Sequence, residues 1–196
     1  MAERRAKVTR ETAETTVRVE LNIDGSGQFQ MTTGIRMFDH LLTQLAQHGI
    51  FDIKVSASGP DQHHVVEDVA ISLGRALNQA LGTKQGIVRM AHALVPMDEA
   101  LAQVTVDIGG RACSTIEVDF NEASIGDLNA DLVRHFLVSL ASEAKINLHA
   151  KVLSGINDHH KAEALFKALG RALDSATRID ERMLGRVSST REIIEG

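Results

Sequence analysis

The sequence predicts an α+β fold built from internally duplicated β-β-α-β-α units, with mixed sheets packed on helices. Three observations carry this. "HHVVEDVAISLGRALNQAL" at 63–81 lies over "HHKAEALFKALGRALDSAT" at 159–177 without a gap, matching His-His, Glu and the whole of "LGRAL". "DHLLTQLA" and "RHFLVSLA" pair His40 with His135, Leu42 with Leu137, Leu45 with Leu140 and Ala46 with Ala141. In both halves, strand-like alternation gives way to helical spacing. The divisions drawn on this repeat are a first half over 1–84, a second over 85–178 and a C-terminal tail over 179–196, all within one compact domain.

In chain order, "TTVRVELNI" alternates apolar and polar residues, meets the turn signal "DGSG" and continues into "QFQMTT", which predicts a β-hairpin. "IRMFDHLLTQLAQH" places Ile35, Phe38, Leu42 and Leu45 on one helical face, with Gly49 at the expected C-cap. "IFDIKVSA" predicts a strand, "SGPD" a loop, and the stretch from His63 an amphipathic helix ended by Gly82. From about residue 86, "VRMAHALV", "LAQVTVDI" and "ACSTIEVDF" read as strands, the last after a Gly109-Gly110 turn. A helix near 127–144, a strand "INLHAKVL" and a final helix from about His159 complete the order.

With 196 residues and 43% hydrophobic content, the chain buries a sizeable core. A net charge of -5 and the lack of Trp and Tyr argue against a nucleic-acid binder, which needs a basic face and stacking platforms. No run approaches the roughly 18 apolar residues of a membrane span, and the N-terminus lacks the apolar core of a signal peptide, so a soluble cytoplasmic protein is expected. Cys113 stands alone, which rules out an internal disulfide and reads as a small buried hydrophobe.

The duplicated polar residues are His40, His63, His64 and Glu67 in one half and His135, His159, His160 and Glu163 in the other. Residues three or four apart on a helix share a face, so Glu67 converges with His63 or His64, while the two histidines diverge by about 100°. A lone helical histidine is ordinarily a solvated or hydrogen-bonded side chain. Retention of three histidine pairs and a glutamate pair requires another cause, and metal binding supplies one. The eight donors give four ligands to each of two ions, leaving room for substrate or water, without fixing which ligand serves which ion. Imidazoles with one carboxylate suit a borderline first-row ion, so zinc, manganese and iron stay open. His92 and His149 have no partner in the repeat and read as structural, whereas His48, one helical face beyond His40, is the candidate for chemistry.

"RETAETTVRVELNIDGSG", "TGIRMFDHLLTQLAQHGIFD", "HHVVEDV", "VPMDEALAQVTVDIGGR", "NDHHKAEALFKALGRAL" and "SSTRE", in that order over nearly the whole chain, resemble the imidazoleglycerol-phosphate dehydratase family. The resemblance implies dehydration of imidazole glycerol phosphate to imidazole acetol phosphate in histidine biosynthesis. It also implies two manganese ions and a 24-subunit particle with active sites formed between subunits. Carried over by residue, it implies catalytic roles for Glu14, His48 and Asp98. Substrate contacts are implied for Glu14, His40, His48, His63, Glu67, Arg89, Arg111, Ser189, Thr190 and Arg191, the last where relatives commonly have Lys. The tail over 179–196 is then a substrate-binding segment, and the partner a small phosphorylated imidazole. Two rivals are a dinuclear phosphate-ester hydrolase, which would favour bridging aspartates, and a metal-nucleated assembly without catalysis.

Overall fold

The structure, a computed structural model, describes residues 4–194, so the outermost positions of the 1–84 and 179–196 divisions lie outside the described residues. Strand β1 (Arg5–Glu11) pairs antiparallel with β2 (Thr16–Asn22), which pairs antiparallel with β4 (Asp52–Ser58). Strand β3 (Phe29–Thr32) runs parallel to β4, giving a sheet of order β1-β2-β4-β3. The hairpin expected between β2 and β3 is therefore not formed. The "DGSG" turn instead wraps around Asp52, whose Oδ1 accepts from the N–H groups of Ser26 and Gln28 at 2.8 and 3.0 Å, and the chain passes over β4 to the far edge.

The second sheet repeats this order. Strands β5 (Met90–Met97), β6 (Ala100–Asp107), β7 (Cys113–Glu117) and β10 (Asn147–Ser154) are arranged β5-β6-β10-β7, with β7 and β10 parallel. Strand β1 is thus the counterpart of β5 and adds one strand to the front of the expected first unit. Between the second sheet's strands, β8 (Ser124–Ile125) and β9 (Leu128–Asn129) form a small hairpin, so the helix expected from 127 begins later, as α3 (Asp131–Ala144). Cys113 is exposed rather than buried, because it starts β7, the edge strand, on the sheet's outer side. His92 and His149 are also exposed, in register with Thr105 on the strand between them.

Helices α1 (Arg36–Gly49), α2 (Gln62–Leu81), α3 and α4 (Asp158–Thr177) cover one face of the sheets. Alternation sets the buried side: Val17, Val19 and Leu21 of β2 and Ala102, Val104 and Val106 of β6 point into the core, where Phe136 stacks on Phe166 and meets Phe38 edge to face between the helices. The helices pair across the repeat, α1 with α4 and α2 with α3. The glycines of "LGRAL" make this possible. A Cβ on Gly170 would lie 2.7 Å from the carbonyl oxygen of Leu45 and 2.8 Å from the nitrogen of Gly49. On Gly74 it would lie 2.8 Å from the carbonyl oxygen of Leu140. Gly49 is likewise kept for closeness, and the left-handed residue ending α1 is Ile50 (φ 55°), not Gly49 as expected.

The β8-β9 hairpin caps α1 and braces the first residue of α2, a helix that is capped by its own Asp61. Ile35 offers no side-chain cap, so Asp127 of the hairpin accepts from the N–H groups of Arg36 and Met37 at 2.9 and 2.8 Å. The N–H of Asn129 donates to Gln62 Oε1 at 3.1 Å.

Candidate active site and metal centre

The pairing of helices across the repeat decides how the duplicated histidines meet. His40 of α1 faces His159 and Glu163 of α4, with Glu163 Oε2 lying 2.9 Å from His40 Nε2 and 3.1 Å from His159 Nε2. His63 and Glu67 of α2 face His135 of α3: the two rings stack at 4.6 Å, and His135 Nε2 lies 3.4 Å from Glu67 Oε1. Within each triad, one donor atom from every residue lies within 4.8 Å of the others. Helical spacing of four brings His159 over Glu163 and His63 over Glu67, and the glycine contacts bring in the third residue.

The donor set fits a first-row ion. His135 Nε2 is buried without a hydrogen-bond partner among the described residues. An orphaned buried nitrogen costs about 1–3 kcal/mol, which a coordinated cation would offset. Two imidazoles and a carboxylate at one point are otherwise a poor packing choice.

The triads differ in their surroundings. Burial favours the neutral form of Glu163, but the Lys167 ammonium 2.7 Å from Oε1 and the His40 contact outweigh it and hold the carboxyl down at about 2. In α2 the corresponding position is Ile71, so Glu67 has no lysine at this spacing. The i,i+4 spacing of Glu163 and Lys167 was readable in the sequence, yet Lys167 was not among the expected residues.

The second histidine of each pair leaves its triad. The His64 ring stands at 83° to His63, and the His160 ring at 85° to His159. His64 Nδ1 is 2.6 Å from Asp61 and its Nε2 is 3.2 Å from Glu14. His160 Nδ1 is 2.7 Å from Glu99 and its Nε2 is 3.6 Å from Asp98. Both expected carboxylates thus sit at the tip of a β-hairpin beside an outward-facing imidazole, Glu14 between β1 and β2 and Asp98 between β5 and β6. Hydrogen bonds to Asp61 and Glu99 raise the pKa of His64 and His160. Glu99, which accepts from the N–H of Asn157 and from His160, is held at about 2.

His48 ends α1, partly buried. That burial, with the positive charges of Lys167 and Arg171 on α4 outweighing the attraction of Glu163, pushes its pKa down. Arg89, Arg111, Ser189, Thr190 and Arg191 line a separate cavity of about 1260 Å³ between the second sheet and the tail. Arg89 is fixed there by Asp107, at 2.7 and 3.0 Å, and donates to the carbonyl of Ser188. No carboxylate pairs with the guanidinium groups of Arg111 or Arg191 among the described residues. None of the eight ligand candidates, nor Glu14, His48 or Asp98, lines this cavity. Within one chain, then, the structure gathers the expected residues into two triads, two hairpin tips and one cationic basin, with His48 at the end of α1.

Comparison with known proteins gives the arrangement a context. Residues 33–173 match the family model for imidazoleglycerol-phosphate dehydratase. The imidazoleglycerol-phosphate dehydratase of Dehalococcoides mccartyi is 55% identical over 195 residues, covering 100% of both chains. That of Methanothermobacter thermautotrophicus is 51% identical over 191 residues, 96% of each. The crystal structure of the Pyrococcus furiosus enzyme, solved in complex with (S)-C348, superimposes with a TM-score of 0.83 at 35% identity, covering 95% of this chain and 99% of that one. The Staphylococcus aureus enzyme gives a TM-score of 0.83 at 29% identity, covering 90% and 99%. The chain belongs to the imidazoleglycerol-phosphate dehydratase family.

Proposed function

We propose that the chain catalyses the metal-dependent dehydration of imidazole glycerol phosphate to imidazole acetol phosphate, in histidine biosynthesis, with two manganese ions per active site. The observation that carries the metal dependence is the pair of His-His-Glu triads, each assembled from helices of both halves, one of them with an orphaned imidazole nitrogen. His40, His159 and Glu163 hold one ion and His63, Glu67 and His135 the other. His64 and His160 point away from their own triads and complete the coordination in a neighbouring copy, so the full site forms only on self-association into a 24-subunit particle.

When bound, the ions supply Lewis-acid charge that favours the deprotonated imidazole of the substrate. The chain's residues do the rest. The proton to be removed lies on a carbon with no adjacent carbonyl, so it needs a carboxylate base held close, and Glu14, exposed beside His64, takes that part. His48, biased toward its neutral form, is set to take up a proton and deliver it to the leaving hydroxyl or the enol. Asp98, placed beside His160 as Glu14 is beside His64, acts at the same kind of tip. Arg89, Arg111, Ser189, Thr190 and Arg191 bind the phosphate, with Arg111 and Arg191 offering planar forks that no carboxylate among the described residues engages. This distribution over one chain explains why the basin and the triads need not touch in the isolated subunit.

The test is turnover by metal-stripped protein restored with manganese and given imidazole glycerol phosphate. Ketone formed only with metal, and without free phosphate, is the expected result. Phosphate release would replace the dehydratase reading with a hydrolase, and neither product in a metal-loaded sample would leave metal-driven assembly.

A further inference from the structure

Glu14 is more than half exposed and sits in a loop of four residues, 12–15, whereas its counterpart Asp98 sits in a two-residue turn that the flanking strands hold in place. A two-residue hairpin turn leaves its residues little freedom, whereas a four-residue loop leaves more for an anchor to remove. Here the anchor is a buried carboxylate on the helix that carries His63, His64 and Glu67. Asp68 accepts a hydrogen bond from the Thr15 hydroxyl, next to Glu14, through one oxygen. Its other oxygen lies 2.7 Å from Arg10 Nε, on the strand leading into the loop. Thr15 is itself buried. Its N–H and that of Glu14 donate to Thr12 Oγ1 at 2.9 and 3.1 Å, closing the loop on itself. Gly59 presses from the other side: a Cβ there would lie 2.9 Å from Thr15 Cγ2 and 3.4 Å from the Glu14 carbonyl oxygen.

The repeat shows that packing alone does not ask for this carboxylate. The position matching Asp68 in α4 is Ala164, fully buried. The Asp98 turn is tied down differently, by Glu99 accepting from the N–H groups of Ile156 and Asn157 at 3.1 and 2.8 Å. A buried carboxylate that the other half lacks, bonded among the described residues only to the loop and strand that present Glu14, is placed for that loop.

We infer that Asp68 is a positioning residue for Glu14: through Thr15 and Arg10 it fixes the loop so that the Glu14 carboxylate stands beside the reacting carbon. The inference rests on the reading of Glu14 as the base. It is tested by steady-state kinetics and manganese content of Asp68→Ala, Thr15→Val and Thr15→Ser, each also made in a Glu14→Gln background. Asp68→Ala and Thr15→Val are expected to lower kcat about tenfold or more with KM within about twofold, and to bind manganese as the parent does. Thr15→Ser, which keeps the hydroxyl, retains the parent kcat. In the Glu14→Gln background neither loss recurs, because the group being positioned is gone. Parent kcat in Thr15→Val overturns the inference, as does an Asp68→Ala loss of equal size in the Glu14→Gln background, which would place its action elsewhere. If Asp68→Ala does not fold, the Thr15 pair decides alone. Parent turnover in Glu14→Gln itself removes the base assignment, and the positioning role falls with it.

Discussion

Replacing Gly170 by Ala tests whether the α1–α4 contact governs both stability and the triad between these helices. The added Cβ would lie 2.7 Å from the Leu45 carbonyl oxygen, where ordinary contact begins near 3.4 Å, so the helices must separate by about 0.7 Å at the crossing. Both obstructing atoms, that oxygen and the Gly49 nitrogen, are backbone and cannot rotate aside. Overpacking of this kind costs about 1–3 kcal/mol, and the higher helix propensity of Ala returns up to about 1 kcal/mol. A net loss of about 1–2 kcal/mol is expected. The same separation acts on the 2.9 Å contact between His40 and Glu163, so manganese affinity should fall while the α2–α3 triad keeps its own. Urea unfolding of the metal-free protein gives the first quantity and titration with manganese the second. An unchanged or higher unfolding midpoint together with parent manganese affinity would show that the close approach of these glycines is incidental.

Three further outcomes are expected. Asp127→Ala removes the cap that α1 receives from the β8-β9 hairpin and should cost about 1 kcal/mol at pH 7. The N–H groups of Met37 and Arg36 lower the Asp127 pKa below its ordinary 3.8, so this stabilisation is present above about pH 4 and is lost as pH falls through the folded value. The gap between parent and variant in thermal unfolding should therefore close in acid, and a gap independent of pH would refute the cap. His63→Ala and His159→Ala should each remove about one of two bound ions per chain, measured by elemental analysis, because each triad is separate. Unchanged metal content in both would dismiss the triads as sites. Arg111→Ala should raise KM at least about tenfold, equivalent to about 1.4 kcal/mol of binding, and a rise of only a few-fold would relocate the phosphate clamp.

The helices and the repeat were legible because "LGRAL" and His-His-x-x-Glu place apolar and ligand residues at fixed helical spacing, which no neighbour can override. Strand β1 was not legible: "RAKVTRE" has one deeply buried apolar side chain, Val8, and edge strands with a charged outer face carry little alternation. Nor was the β3 pairing, since a parallel partner reached through a helix leaves no local turn signature. The eight ligand candidates were visible as types, but their grouping depends on which helices face each other. The best sequence signal for that was the glycine inside each "LGRAL", a residue that weakens a helix unless a backbone must come close. Lys167 and Asp68 were not legible from the repeat because each has an apolar counterpart in the other half, Ile71 and Ala164, so neither shows as a match.

Pairing α1 with α4 and α2 with α3 also has a thermodynamic side. Neither half of the repeat owns a complete triad, so an ion held at either place joins the two halves of the chain. Occupancy then works as a reversible cross-link: at a free concentration 100 times its dissociation constant, one such ion adds about 2.7 kcal/mol to the state in which the halves are docked. Conversely, docking pre-forms the coordination geometry and so raises the affinity for the ion. A duplicated ancestor that kept its ligands within each half could have lost one half's contacts without losing its metal. In the proposed two-ion enzyme this chain cannot, and its chemistry and its integrity would be titrated by the same cation.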